Sequence, residues 1–480
     1  MILLCVLFRS ALFSFVCLGT FACLLCQNAS GRGKVRTLYE ANCQVCHGAE
    51  LNNGLGGSLL DDWDHVTSKR TVELIIKNGL PQFGMTAFGG ALSGPEIRSL
   101  AIYIDEMRLK ASNAGMQWPQ ERSATFRTKH HAFKIEELCA SDREIFWAID
   151  FLPGNRVILT QFGGGLRIFE NGMLGPPIKN TPKVWRHGQG GLMDVGVHPD
   201  YEENGWIYLS YADELAEKIG STTVARGRIK DGTWVDNEVL FRVDPKFSGR
   251  KGAHFGSRFV FDQGYLFFGI GDRGQQNQAQ DLSFPNGKIH RIFDDGRVPK
   301  DNPFVDRSDA YPTIWSYGNR NPQGLAKHPV TGALWETEHG PRGGDEVNVI
   351  RKGKNYGWPV ITYGMNYNGT PITSETKKDG MEQPVTHYTP SIAICGMAFY
   401  QGKKFENWHD DLFVGGLAAQ ELWRIRLDGE KVVEREIVLK GQGRIRDIAL
   451  GPNESLYLLL NKGKRKGESQ LVRLVPVSGP

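Results

Sequence analysis

Cys43-Gln44-Val45-Cys46-His47 places two thiols three residues apart, with an imidazole directly after the second. That spacing lets both thiols reach the vinyl groups of one haem while the imidazole lies over the iron as proximal ligand. A zinc site would need a second Cys or His pair at short spacing, and none follows; a redox Cys-x-x-Cys has no use for His47. Cys43 and Cys46 therefore read as attachment points for haem c and His47 as an iron ligand. Later in the chain, Gly-flanked clusters rich in Arg, Asn, Gln and His form a second set of candidate residues.

A haem of this kind usually takes a sixth ligand. Met85 sits in the Gly/Pro-rich loop Gly79 to Gly89, which can return a side chain to the iron without helical constraint. A helix-like run follows to Met107, with Ser93 as N-cap and Pro95 in the first turn; Ile97, Leu100, Ala101 and Ile104 share one face. Residues 30–110 resemble the small bacterial cytochrome c domains, whose loop Met is the distal ligand. The family loop has Pro after this Met, where this chain has Thr86. Core filling is the alternative for Met85, and Met107 is the second candidate ligand.

The 480 residues, 40% hydrophobic with 58 glycines, permit two or three loop-rich folded units with ample core. A net charge of +4 without a long basic run interleaved with aromatics gives no indication of nucleic acid. Residues 1–26 are apolar with one charge, Arg9, and read as an export signal or an uncleaved anchor; they fall short of a comfortable membrane span. No further transmembrane segment is expected. Cys5, Cys17, Cys23 and Cys26 lie in this leader, leaving Cys139 and Cys395, which nothing in the sequence requires to pair. Residues 111–131 lose periodicity and turn polar, which marks a linker.

From residue 132 to 480 the chain repeats a short apolar strand, a Gly/Asn/Pro turn and a second apolar strand. Six copies begin at Ile145–Phe151, Leu192–Val197, Ser257–Phe261, Gly324–Ala326, Gly396–Tyr400 and Asp447–Leu450. The expected fold is an all-β six-bladed β-propeller preceded by a small all-α cytochrome c domain. Phe133 to Leu138 is expected to close the ring as the outer strand of the last blade, since an unpaired edge is a liability.

In such blades the start of the inner strand and the end of its partner share one mouth. The segments at those points, among them Gly188-Gln189-Gly190-Gly191, Ala253-His254-Phe255-Gly256, Gly271 to Gln278 and Glu338 to Glu346, are polar and Gly-flanked. Glycine lets backbone approach a ligand, and Arg320, Arg444 and Arg446 imply one rich in carboxylates.

On these motifs the chain from about residue 132 resembles the soluble aldose sugar dehydrogenases that use pyrroloquinoline quinone (PQQ), also called glucose/sorbosone dehydrogenases. The resemblance implies His254 as general base for the anomeric hydroxyl and Gln189 as a mouth residue near cofactor and sugar. It implies Arg320 and Asn321 at the quinone, Arg444 and Arg446 on its carboxylates, and Gln278, or its neighbour Asn277, as a further contact. Calcium would be held by the carbonyls of Gly340 and Pro341. Asp345 and Glu346 match an acidic pair that binds a second calcium in some members, with loop capping as the alternative. Tyr388 matches an aromatic at the sugar end. Two departures stand out: Ala418 replaces a cofactor-contacting Lys, and Ala253 replaces an Asp before the base, which would leave His254 without a carboxylate partner.

The resemblance thus implies a periplasmic or otherwise exported quinohaemoprotein, soluble or tethered through its leader, that oxidises an aldose at C1 to a lactone. Its electrons would pass to its own haem and on to another cytochrome or a terminal oxidase. The alternative is a non-catalytic sugar- or protein-binding propeller attached to an electron-carrier cytochrome. A different alcohol or an aldehyde such as sorbosone is a further candidate donor.

Overall fold

The computed structural model describes residues 33–61, 72–113, 124–462 and 468–477; the leader and part of the expected linker lie outside them. The chain divides into two compact units, residues 1–114 with 365–372, and residues 115–364 with 373–480.

The first unit is helical: α1 (Gly33–Asn42), α2 (Gln44–His47), α3 (Val72–Asn78) and α4 (Gly94–Asn113). Helix α4 starts where the sequence places it. Ser93 donates its amide and its hydroxyl to Glu96 Oε2, at 2.9 and 2.6 Å, a pairing at capping-box spacing. Ile97, Leu100, Ala101 and Ile104 are all buried and join Val35 and Tyr39 of α1 in one apolar cluster. The same cluster contains Met365, 1% exposed, so a segment remote in sequence completes this core.

The second unit is a six-bladed propeller. Its sheets begin with Phe146–Leu152, Leu192–Val197, Phe259–Asp262, Pro322–Lys327, Ile394–Phe399 and Arg444–Leu450, and these strands meet in cyclic order. Ala132–Ser141 pairs antiparallel with Ser469–Pro476, Ile135 facing Leu474, so the N-terminal strand closes the last blade as expected. Phe126–Arg127 adds a short strand beyond it, Phe126 facing Phe133, which puts the expected boundary at 131/132 inside this ribbon. Cys139 and Cys395 are both free thiols.

Along the inner strands, Arg258 ties blades together. Its Nη1 donates to Asp194 Oδ1 and Asp447 Oδ2, both at 3.0 Å, its Nε to Gln323 O at 3.0 Å, and its Nη2 to Trp147 O and Arg446 O at 3.3 and 3.2 Å. Those partners come from the first, second, fourth and sixth blades, while Arg258 precedes the inner strand of the third. Burial pushes both carboxyls up while the guanidinium opposes it. A buried ion pair of this kind is far costlier to break than to replace. The fold thereby fixes the backbone of Arg446, a mouth residue.

Candidate active site at the mouth of the propeller

His254 lies in the turn entering the third blade, with a left-handed backbone (φ 52°), followed by Gly256 and Ser257 at φ 69° and 82°. Its carbonyl packs so closely on Gly271 that a Cβ there would fall 2.5 Å from it. The His254 amide donates to Gln189 Oε1 at 2.7 Å. Its Nδ1 stands 2.6 Å from Asp272 Oδ1, and since a carboxylate only accepts, Nδ1 carries the proton and Nε2 the lone pair. Asp272 has no exposed side chain and also accepts from Gly274 N at 2.7 Å and Trp358 Nε1 at 2.8 Å. Burial and then the charge of Arg320 lower the pKa of His254 below 6.5 despite the carboxylate, leaving a neutral imidazole. Burial works against the charge on Asp272, but the His254 hydrogen bond and the Arg320 charge hold it below the usual range.

The expectation that His254 lacks a carboxylate is therefore wrong: Asp272 supplies it from the end of a neighbouring strand rather than from the position before the base.

Around this pair the structure gathers cations. Arg320 is 5% exposed and donates from Nη1 to the carbonyls of His339 and Gly340 at 2.9 and 2.6 Å. Asn321 accepts from Gly256 N at 3.2 Å. Arg446 lies 3.9 Å over the Trp147 ring. Burial and the neighbouring Arg446 bring the Arg444 pKa down to about 10. His339 is buried among Arg320, Arg446, His254 and Arg444, and burial with those charges holds its pKa well below 6.5. Among the described residues, Nε of Arg444, Nε of Arg446 and Nε2 of His339 are buried and make no hydrogen bond. Buried donors left unpaired beside several positive charges call for an anionic ligand with several acceptors, which suits a quinone bearing carboxylates.

Other expected residues are placed differently. Tyr388, 5% exposed, packs its ring in an apolar cluster with Trp335, Ile392 and Trp423, and its buried hydroxyl makes no hydrogen bond among the described residues. The Gln278 amide is engaged within its own loop, accepting from Asn286 Nδ2 at 2.7 Å and donating to Gln275 Oε1 at 3.0 Å, whereas Asn277 is exposed. Asp345 caps its loop, accepting from Gly340 N at 2.9 Å, Ser391 Oγ at 2.8 Å and Ile394 N at 3.0 Å. Glu346 lies beside Glu338, and burial and that neighbour raise its pKa well above the carboxylate range. The Gly340 carbonyl accepts from Arg320 and, having two lone pairs, keeps one for a further partner. The sequence flagged the stretches holding Asp272 and His339 as mouth residues but gave those two no role, and it missed Trp358.

In the first unit, Cys43 and Cys46 are free thiols, Cys43 at the N-cap of α2 and Cys46 within it. His47 Nδ1 lies 3.0 Å from Gly57 O, which leaves Nε2 for a metal, the arrangement a proximal haem ligand takes. Met85 is half-buried at the close of a tight loop in which its backbone pairs with Leu80.

Fold and site together define a propeller oxidoreductase carried on one chain with a c-type cytochrome domain. The chain belongs to the glucose/sorbosone dehydrogenase family, whose model matches residues 143–473. A second model, cytochrome c oxidase, cbb3-type, subunit III, matches residues 33–104, and a domain of this type implies haem. The aldose sugar dehydrogenase YliI of Escherichia coli (strain K12) is 45% identical over 325 residues, spanning 66% of this chain and 87% of that protein. Quinoprotein glucose dehydrogenase B of Acinetobacter calcoaceticus is 26% identical over 392 residues, 64% of this chain and 81% of its own. The crystal structure of the soluble aldose sugar dehydrogenase from E. coli in the apo-form superposes with a TM-score of 0.67 at 41% identity, covering 72% of this chain and all of that one.

Proposed function

We propose that the chain is an exported quinohaemoprotein that oxidises the C1 hydroxyl of an aldose to the lactone. PQQ would be its hydride acceptor and its own haem c the next carrier. The observation that carries the reading is the neutral His254, locked by Asp272 and set among Arg320, Arg444 and Arg446. A family relative is itself named a quinoprotein glucose dehydrogenase.

Arg444 and Arg446 would hold the carboxylates of the cofactor, with Arg320, Asn321 and His339 facing its quinone side. When bound, PQQ supplies the two-electron acceptor that takes hydride from C1. His254 Nε2 takes the proton of the C1 hydroxyl as the C–O bond becomes a carbonyl, and Asp272 stabilises the imidazolium that forms. Gln189 fixes the backbone of the base. Calcium would be held by the carbonyls of Gly340 and Pro341, the first keeping a lone pair beside its bond from Arg320, and would polarise the quinone.

Cys43 and Cys46 would carry the haem and His47 its iron, with Met85 as distal ligand. Haem held there would supply one-electron transfer toward another cytochrome or a terminal oxidase. Residues 1–26 support export to the periplasm, where a box of this kind receives its haem; among the described residues no helix is long and apolar enough to cross a membrane.

The test compares the PQQ-reconstituted protein with its His254→Gln variant for lactone formation from aldoses with an artificial acceptor, while cofactor binding is followed by titration. The reading predicts turnover lost with binding kept. Turnover unchanged in the variant would refute the role of His254.

A further inference from the structure

We propose that Arg273 is the positioning residue that sets His254 for proton transfer. This rests on the sugar-oxidation reading above and adds a residue to it.

The turn that delivers His254 is pinned at four successive carbonyls. Arg250 O is held by His187 Nε2 at 3.0 Å and Gly252 O by Gln189 N at 2.7 Å. The other two belong to one side chain: Arg273 donates from Nη2 to Lys251 O at 2.8 Å and from Nη1 to Ala253 O. The same Nη2 reaches Gly220 O at 3.1 Å, in a hairpin of the second blade. The guanidinium is fully buried, its carbon 3.4 Å from the Phe255 ring centroid. Arg273 thus grips the chain on both sides of Gly252, directly before a histidine held at φ 52°. A β-carbon-bearing residue keeps that conformation only where its surroundings over-determine it.

Asp272 and Arg273 are consecutive, and they divide the work. Asp272 orients the imidazole, and Arg273 orients the backbone from which the imidazole hangs. A planar fork with donors on both terminal nitrogens can hold three carbonyls at once; a lysine ammonium, a single point charge on a flexible stem, cannot reproduce that geometry. Small displacements of a base reduce rate without removing the binding groups around it.

The test uses Arg273→Lys and Arg273→Met in the full-length protein. In the apo protein labelled with 15N-histidine, the proton on His254 Nδ1 gives a downfield NMR resonance from its short bond to Asp272, assigned by its loss in His254→Gln. The inference predicts that this resonance shifts or broadens in both variants. With cofactor and aldose, kcat falls about tenfold in the Lys variant and about a hundredfold in the Met variant, while KM and the PQQ dissociation constant stay within about twofold. If the Met variant does not fold, the Lys variant decides. A Lys variant with the wild-type resonance and kcat within about twofold would overturn the inference, as would parallel losses of kcat, cofactor affinity and melting temperature, which mark a merely structural arginine. The resonance is read without sugar or cofactor, so a wild type that oxidises no sugar would refute the sugar reading while leaving the positioning of His254 by Arg273 decided separately.

Discussion

Asp272 Oδ1 accepts the Nδ1 proton of His254 across 2.6 Å, from a carboxylate with no exposed surface that is itself held by Gly274 and Trp358. The pair comes from two strand ends of the same blade, 18 residues apart, and it fixes which imidazole nitrogen faces the mouth.

Replacing Asp272 by Asn keeps the shape but offers an amide that no longer dictates the tautomer. We expect kcat to fall about 10³- to 10⁴-fold, in line with loss of the orienting carboxylate in comparable acid–base pairs, with PQQ binding retained. Steady-state kinetics beside a cofactor titration check this, and a loss under about tenfold would contradict it.

The pH profile follows from the depressed pKa of His254. The neutral imidazole is the active form, so kcat/KM rises with pH through a midpoint below 6.5 and is level by neutrality. A midpoint above 6.5 would mean that the carboxylate outweighs burial and Arg320.

Much of this was legible in the sequence, for physical reasons. Alternating apolar strands bounded by Gly, Asn and Pro turns marked all six blades, and the apolar Phe133–Leu138 run marked the strand that closes them. Strand ends marked the mouth, and the family resemblance assigned His254, Gln189 and the arginines. What stayed hidden depended on side-chain direction. Asp272 reaches His254 from another strand end, Tyr388 packs its ring among apolar side chains, and Asp345 spends its oxygens on Gly340 of its own loop and on Ser391 and Ile394 at the entry to the next blade. Met365 enters the core of the first unit from far along the chain, which no local pattern announces.

Arg446→Met keeps apolar contact with Trp147 but removes the buried charge. Loss of charge-assisted hydrogen bonds to a carboxylate should weaken PQQ binding about 10- to 100-fold, as read by quenching of tryptophan fluorescence on titration. Unchanged affinity would place the cofactor elsewhere.

Removing Arg258 leaves Asp194 and Asp447 facing one another without their shared cation. Arg258→Met is expected to destabilise the propeller by about 3–5 kcal/mol in denaturant unfolding, and a loss below about 1 kcal/mol would contradict its role as a link between blades.

His290 is fully buried, lies 2.8 Å from both Thr313 Oγ1 and Pro285 O, and burial brings its pKa down to about 3. The folded state keeps it neutral while the unfolded chain protonates near 6.5, so its contribution is fully present above pH 6.5 and is lost as pH falls toward 3. The slope is about 1.4 kcal/mol per pH unit in that window. His290→Gln should flatten the decline of the melting temperature between about pH 6.5 and pH 5, and an unaltered decline would exclude His290 as its source.

The most direct test of the central claim is the absorbance spectrum of the haem-loaded protein reconstituted with PQQ, before and after aldose is added without any external acceptor. The account predicts that the haem bands convert to the reduced form only when cofactor and sugar are both present, and that His254→Gln abolishes the conversion. A haem that stays oxidised while an added dye is reduced would contradict transfer from the propeller to its own cytochrome, and the absence of any change with every sugar and dye would contradict sugar oxidation itself.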